Sequence, residues 1–292
     1  MILADKRGRE YDSPRGDCRM TSADIDFDAL AAMLAETAQR AGQAIRKIYA
    51  GGLQVREKAD ASPVTDADEA AEKIILADLA RVAPNVPVIA EEAVASGSVP
   101  ATDDVFFLVD PLDGTKEFVR GTGEFTVNIA LVHGDIPRFG LILAPALGEL
   151  FLTIAEDRAV RAEVGTDTVK PLDSVSHEPL QTRDPAPGRL VALASRSHMN
   201  ETTERFLETH GVTETFQAGS SLKFCRIAQG LADVYPRLGP TCEWDTAAGD
   251  AILRAAGGVV LTEDGTPLRY GKAEDGYRNP GFIAWGRQPV QE

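Results

Sequence analysis

The sequence predicts an α/β fold in which sheets and helices lie in layers, on three observations. Apolar runs of strand length end abruptly in acid, as in "VPVIAEE" and "FFLVDPLDGT". Ahead of them, apolar residues recur three to four apart, the spacing of a helix with one buried face. Beyond residue 190, strand-like and helix-like stretches alternate, the pattern of an α/β unit.

Taken in order, residues 1–20 ("MILADKRGREYDSPRGDCRM") are charged, carry Gly and Pro, and contain no apolar core of signal-peptide length. A disordered extension over 1–22 is expected, with Met20 as an alternative initiator. Residues 25–50 place Leu30, Leu34, Ala38, Ala41, Ile45 and Ile48 on one helical face, stopped by Gly51 and Gly52. A second helix follows "SPVTDAD", with Ala71, Ile74, Ile75, Leu79 and Val82 facing inward. "VPVIA" and "VFFLV" read as buried strands that deliver carboxylates to a sheet edge. From Phe125 to Ile154 apolar runs broken by "HGDIP" and "PALGE" predict an antiparallel meander. Residues 160–189 are rich in Pro, Asp and Thr and are expected to connect an N-terminal half (23–159), carrying most of the acids, to a C-terminal half (190–292). In that second half, "LVALAS", "VTETFQ" and "ADVYPRL" read as strands, with helices near 200–210, 220–230 and 245–256.

Composition narrows the function classes. A chain of 292 residues, 43% of them hydrophobic, can bury a large core without disulfides or structural metal. The net charge of −15 excludes nucleic-acid binding through a general basic surface; a small anionic substrate would need locally held cations. Cys18, Cys225 and Cys242 are odd in number and far apart, which predicts reduced thiols in a cytoplasmic protein. No apolar stretch reaches the length of about eighteen residues expected of a transmembrane helix.

The candidate site centres on "DPLDGT". Asp110 and Asp113 flank a Pro-Leu turn at a strand end, where both carboxylates and the Leu112 carbonyl can face one cation. Hard oxygen donors suit Mg²⁺ or Mn²⁺ rather than zinc. Gly114 and Thr115 then offer backbone N–H groups and a hydroxyl to a phosphate. An ordinary surface turn is the competing reading of the same residues. The spacing of three does not fit an aspartyl-phosphate phosphatase, whose two acids lie two apart. Glu91 follows a second strand, Asp68 lies in a first helical turn, and Asp245 opens a helix of small residues. A solvated loop, a helix-dipole partner and an N-cap are the respective alternatives.

The ordered blocks "EE", "DPLDGT" and "WDTAAG" resemble the inositol monophosphatase superfamily of metal-dependent, lithium-sensitive phosphatases, from about Asp24 to the C-terminus. "DPLDGTKEF", "SRSH", "GSSLKFC", "YPRLGPT" and "EWDTAAGDAIL" are more similar to its CysQ-type 3'(2'),5'-bisphosphate nucleotidase branch. The resemblance implies an αβαβα sandwich with the acids at the junction of its halves. It implies Glu91, Asp110, the Leu112 carbonyl, Asp113 and Asp245 as ligands of two or three Mg²⁺ ions, with Mn²⁺ as a substitute. Thr115, oriented by Glu91 or Asp68, would position the attacking water. Gly114, Thr115 and Lys116 would face the departing phosphate; His198, Ser220, Ser221, Lys223 and Arg237 would hold the rest of the substrate. Without the resemblance, His198, Lys223 and Arg237 read as loop or surface residues. The implied substrate is adenosine 3',5'-bisphosphate, with its sulfated analogue and inositol or sugar phosphates as alternatives. A non-catalytic cation-binding protein is the reading of a different class.

Overall fold

The computed structural model describes residues 25–51, 55–57, 63–186, 188–194 and 201–289. The chain begins with α1 (Phe27–Gly51), the ribbon of β1 (Val55–Glu57) and β2 (Pro63–Thr65), and α2 (Asp66–Val82). A large sheet follows: β3 (Val88–Ala90), β4 (Val105–Asp113), β5 (Thr126–His133), β6 (Ile136–Ala144), β7 (Glu149–Ala155), β8 (Arg158–Glu163) and β9 (His177–Pro179). Short helices α3 (Glu91–Ala95) and α4 (Thr115–Arg120) follow β3 and β4. The second half contributes β10 (Leu190–Ala194), α5 (Glu201–Thr209), β11 (Val212–Gln217), α6 (Leu222–Ala228), β12 (Val234–Arg237) and β13 (Thr241–Cys242). It ends with a 3₁₀ turn (Glu243–Asp245), α7 (Ala247–Ala255), β14 (Val259–Thr262), β15 (Arg278–Asn279) and β16 (Phe282–Trp285).

The first sheet keeps chain order from β3 to β9, with β3 parallel to β4 and every later pair antiparallel. The second has the order β11-β10-β12-β16-β14, parallel among the first three strands and antiparallel beyond. Burial of both faces explains why β4 is apolar without a break from Val105 to Val109. Phe107 and Val109 face the cluster made with Leu34, Ala38 and Ile45 of α1 and Ile75 and Leu79 of α2. Phe106 and Leu108 face the opposite cluster, shared with Phe224 of α6, Ile252 and Leu253 of α7 and Phe282 of β16. A third cluster places Ala192, Val234 and Ile283 of the second sheet under Phe206 and Leu207 of α5. The layers therefore run helix, sheet, helix, sheet, helix, the αβαβα order expected.

The middle layer requires small side chains. A Cβ on Gly140 of β6 would collide with the Ala248 carbonyl of α7, and one on Gly249 would lie 2.5 Å from the Phe224 ring. This close approach carries Asp245, just before α7, to the edge of the first sheet.

Several boundaries differ from expectation. Residues 160–189, expected as a connection, include the end of β8 and all of β9, so the chain leaves the first sheet only after Pro179. The arginines of "RAVRAE" mask a strand whose Ala159, Val160 and Ala162 are buried against the sheet. The helix expected at 245–256 is preceded by the 3₁₀ turn. The extension expected over 1–22 lies outside the described residues. No helix among the described residues is long and apolar enough to cross a membrane.

Candidate active site

A cavity of about 240 Å³ opens where the C-terminal end of β4 meets α6 and the 3₁₀ turn before α7. Glu91, Asp110, Leu112, Asp113, Gly114, Thr115 and Lys116 line it from the first half. Ser220, Ser221, Lys223, Arg237 and Asp245 line it from the second.

Each acid is positioned by local backbone chemistry. Asp110 pairs with Asn128 and Asp113 with Thr126, so β4 spends one more residue than β5 over this interval. That bulge accommodates Pro111, which cannot donate to a ladder, and places both aspartates beside the cavity. The Leu112 N–H donates to Asp110 Oδ1 at 2.9 Å, tightening the turn. Gly114 follows with φ 87°, a left-handed conformation that costs glycine little, and α4 then begins at Thr115. Asp68 occupies the third position of α2 in a capping box: its Oδ2 accepts from the Thr65 N–H at 2.8 Å and the Thr65 hydroxyl at 2.7 Å. Its Oδ1 lies 3.5 Å from the Thr115 hydroxyl, which also approaches the Leu112 carbonyl at 3.3 Å. Asp245 repeats the device one half later, its Oδ2 accepting from the Cys242 N–H at 2.8 Å.

Burial and like charge govern the electrostatics. Desolvation, then the charges of Glu91, Asp113 and Asp245, push the Asp110 carboxyl well above its ordinary range. Asp245 is raised in the same way, by burial first and then by Asp113 and Glu91. Lys223 is 4% exposed, and burial lowers its ammonium to about 8 although Asp113 pulls it upward. Its Nζ donates to the Ser220 carbonyl at 2.8 Å and stands 5.2 Å from the centre of the Tyr235 ring. Among the described residues the acids line the cavity without closing into a compact three-acid cluster. Protein donors hold them in part, as the Ser221 N–H and hydroxyl hold Asp113 Oδ2 at 2.6 and 2.7 Å.

The model of the inositol monophosphatase family matches residues 26–284, which takes in every acid of the cavity. The chain belongs to the inositol monophosphatase family. Among relatives of this family member, the 3'(2'),5'-bisphosphate nucleotidase CysQ of Shigella flexneri is 43% identical over 249 residues, 85% of this chain and 96% of its own. CysQ of Escherichia coli K12 is 42% identical over the same shares. The crystal structure of CysQ from Bacteroides thetaiotaomicron, a bacterial member of the family, superposes with a TM-score of 0.72 at 38% identity, covering 91% of this chain and 99% of that one. The inositol monophosphatase of Anabaena, at 24% identity and TM-score 0.65 over 90% of this chain and 93% of its own, shares the fold.

Within this family member the residues singled out from sequence fall into distinct places. Glu91, Asp110, Asp113, Asp245, Thr115 and the Leu112 backbone converge on the cavity, with Asp68 buried behind Thr115. Lys116 is exposed on α4 at the cavity wall. His198 lies outside the described residues. The Ser220 hydroxyl pairs with Thr126 Oγ1 at 2.9 Å, and Ser220 has φ 44°, unusual for a residue with a Cβ. Sequence reasoning missed Thr126 and Asn128, which anchor the two serines from β5. The amide inside the apolar run "TVNIALV" was the available signal, because a buried polar side chain needs a partner. It also left Glu243 unassigned; that side chain is fully buried and accepts from the Gly271 and Lys272 N–H groups at 2.7 and 2.8 Å.

Proposed function

We propose that this chain is a Mg²⁺-dependent 3'(2'),5'-bisphosphate nucleotidase that hydrolyses adenosine 3',5'-bisphosphate to AMP and phosphate. One observation carries the substrate reading: the acids share their cavity with a buried lysine and with Arg237. A buried ammonium is costly without an anion beside it. A substrate with two phosphates supplies one to the acids' side and one to Lys223, whereas a neutral polyol monophosphate leaves the lysine side unmatched.

The donor set fits Mg²⁺. Carboxylates and a backbone carbonyl are hard oxygen ligands, and the raised Asp110 and Asp245 carboxyls mark acids that need a nearby positive charge to ionise together. Glu91, Asp110, the Leu112 carbonyl, Asp113 and Asp245 would hold two or three ions, and Mn²⁺ would substitute. When bound, such ions supply an activated water and stabilise the departing oxygen. Thr115, its proton directed at Asp68 or the Leu112 carbonyl, keeps lone pairs to orient the attacking water. A new P–O bond forms from that water as the bond to the ribose 3' oxygen breaks; the water's proton passes to Asp68 by way of Thr115, and the departing 3' oxygen takes a proton from solvent water to leave as the hydroxyl of AMP. The buried free thiol of Cys225 goes with a reducing, cytoplasmic setting.

The test is phosphate release from adenosine 3',5'-bisphosphate, its sulfated analogue and inositol 1-phosphate, with and without Mg²⁺. The bisphosphate is expected to give the higher kcat/KM, EDTA to abolish turnover, and Asp113→Asn to remove activity while the protein still melts cooperatively. A preference for inositol 1-phosphate would overturn the nucleotidase reading.

A further inference from the structure

Ser221 stands in "GSSLKF" among residues expected to touch substrate, yet its surroundings point elsewhere. It is 2% exposed. Its N–H and hydroxyl both reach Asp113 Oδ2, at 2.6 and 2.7 Å. The hydroxyl oxygen also lies 2.8 Å from the Asp245 carbonyl and accepts from the Asn128 amide at 2.8 Å. A serine hydroxyl has one proton and two lone pairs. Asn128 fills one lone pair, and Asp113 and the Asp245 carbonyl compete for the single proton. The backbone N–H is committed to Asp113 as well, so neither donor of Ser221 remains for a phosphate.

The partners come from every part of the site. Asp113 ends β4, Asn128 lies on β5 directly opposite Asp110, and Asp245 closes the 3₁₀ turn of the second half. Ser221 itself is the N-cap of α6. We propose that Ser221 is a positioning residue that ties Asp113 of the first half to the Asp245 backbone of the second and so sets the spacing of two cation-holding carboxylates, with Asn128 holding the hydroxyl in place. This rests on the metal-dependent phosphatase reading above. Ser220, one residue earlier, is bonded through its hydroxyl to Thr126 and through its carbonyl to Lys223, so the two adjacent serines serve different sides of the cavity.

The test measures metal affinity directly. Mn²⁺ binding followed by electron paramagnetic resonance, with Mg²⁺ as competitor, is compared for the wild type, Ser221→Ala, Ser221→Thr and Asn128→Ala. Losing a hydrogen bond that orients a metal ligand typically weakens metal binding by about 10- to 100-fold. Ser221→Ala is expected in that range, Asn128→Ala to show a smaller loss in the same direction, and Ser221→Thr to restore most of the affinity. At saturating Mg²⁺ the KM for adenosine 3',5'-bisphosphate is expected to stay within about twofold of wild type, since a ligand-orienting group is not a substrate ligand. Unchanged metal affinity together with a raised KM would make Ser221 a substrate ligand and overturn the proposal. If Ser221→Ala does not fold, the Asn128→Ala affinity decides, and wild-type affinity there overturns it. A wild-type protein that binds no Mn²⁺ would instead fail the metal-dependent reading itself.

Discussion

Lys223 shows how a single side chain can tie substrate choice to pH. Burial lowers its ammonium to about 8, with Asp113 opposing that shift and Arg237 adding to it. Because kcat/KM reports groups of the free enzyme, its value for the bisphosphate is expected to fall as pH rises through about 8, where Lys223 loses its charge. Lys223→Ala removes that limb and raises KM for the bisphosphate by about tenfold to a hundredfold, the worth of a charge-assisted hydrogen bond. A simple monophosphate should show neither effect. pH–rate profiles of both proteins on both substrates check this, and an unaltered alkaline limb in Lys223→Ala would refute it. The acids of this site were legible in the sequence because they are dense and sit at the ends of apolar runs. The links that hold them were not, because Ser221 accepts a hydrogen bond from Asn128, 93 positions away, and donates to Asp113, 108 positions away. No local pattern records such a pairing.

At the scale of elements, α6 is fixed to the first sheet at both ends. Its start is held by Thr126, Asn128 and Asp113; its last turn is held by Arg226, whose guanidinium donates to Glu149 of β7 at 2.6 Å. Arg161 of β8 donates to the same carboxylate at 2.8 Å. Burial raises the Glu149 carboxyl, but the hydrogen bonds and charges of Arg226 and Arg161 outweigh it and leave the group below its ordinary value of 4.5. A depressed carboxyl stabilises the folded state above its ordinary value, and that contribution disappears as pH falls through the depressed folded value. Glu149→Gln is therefore expected to lower stability at neutral pH by roughly 1 to 3 kcal/mol, less than stripping a buried ion of its partner, because the amide keeps an acceptor oxygen. The gap from wild type should narrow as the pH drops below about 4.5. Denaturant melts at several pH values measure it, and a gap that widened in acid would contradict the assignment. The long elements were readable in sequence, α1 and α2 by their three-to-four spacing and β4 by its unbroken apolar run. The strands β8 and β9 were not, since Arg158, Arg161 and the exposed "HEP" become strand only by pairing with a neighbour already in the sheet.

The whole molecule melts as one unit if its cores are one. Phe106, Leu108 and Phe151 of the first sheet share a cluster with Leu193 and Phe282 of the second, and Phe224, Ile252 and Leu253 of the central helices lie in it. Neither half can bury that face alone, so a single calorimetric transition is expected despite the two-part reading of the sequence. Mg²⁺ at a hundredfold over its dissociation constant should raise stability by about 2.7 kcal/mol through binding the folded state alone. The contact most exposed to test is Gly140 against α7. A Cβ there meets the Ala248 carbonyl and stands 2.9 Å from the Ala251 methyl, inside a layer with no slack. Overpacking of this kind costs about 1 to 3 kcal/mol, which for a chain of this size is roughly 2 to 5 °C in Tm. Since α7 begins two residues after Asp245, the displacement also moves a carboxylate of the cavity. Gly140→Ala is therefore expected to lower Tm and Mg²⁺ affinity together while keeping one transition. Gly51→Ala, where an added Cβ meets nothing within 4 Å, should change neither. Calorimetry with and without Mg²⁺ decides: two separated transitions in the wild type would show that the halves fold independently, and a lower Tm with unchanged Mg²⁺ affinity would show that α7 does not transmit strain to Asp245.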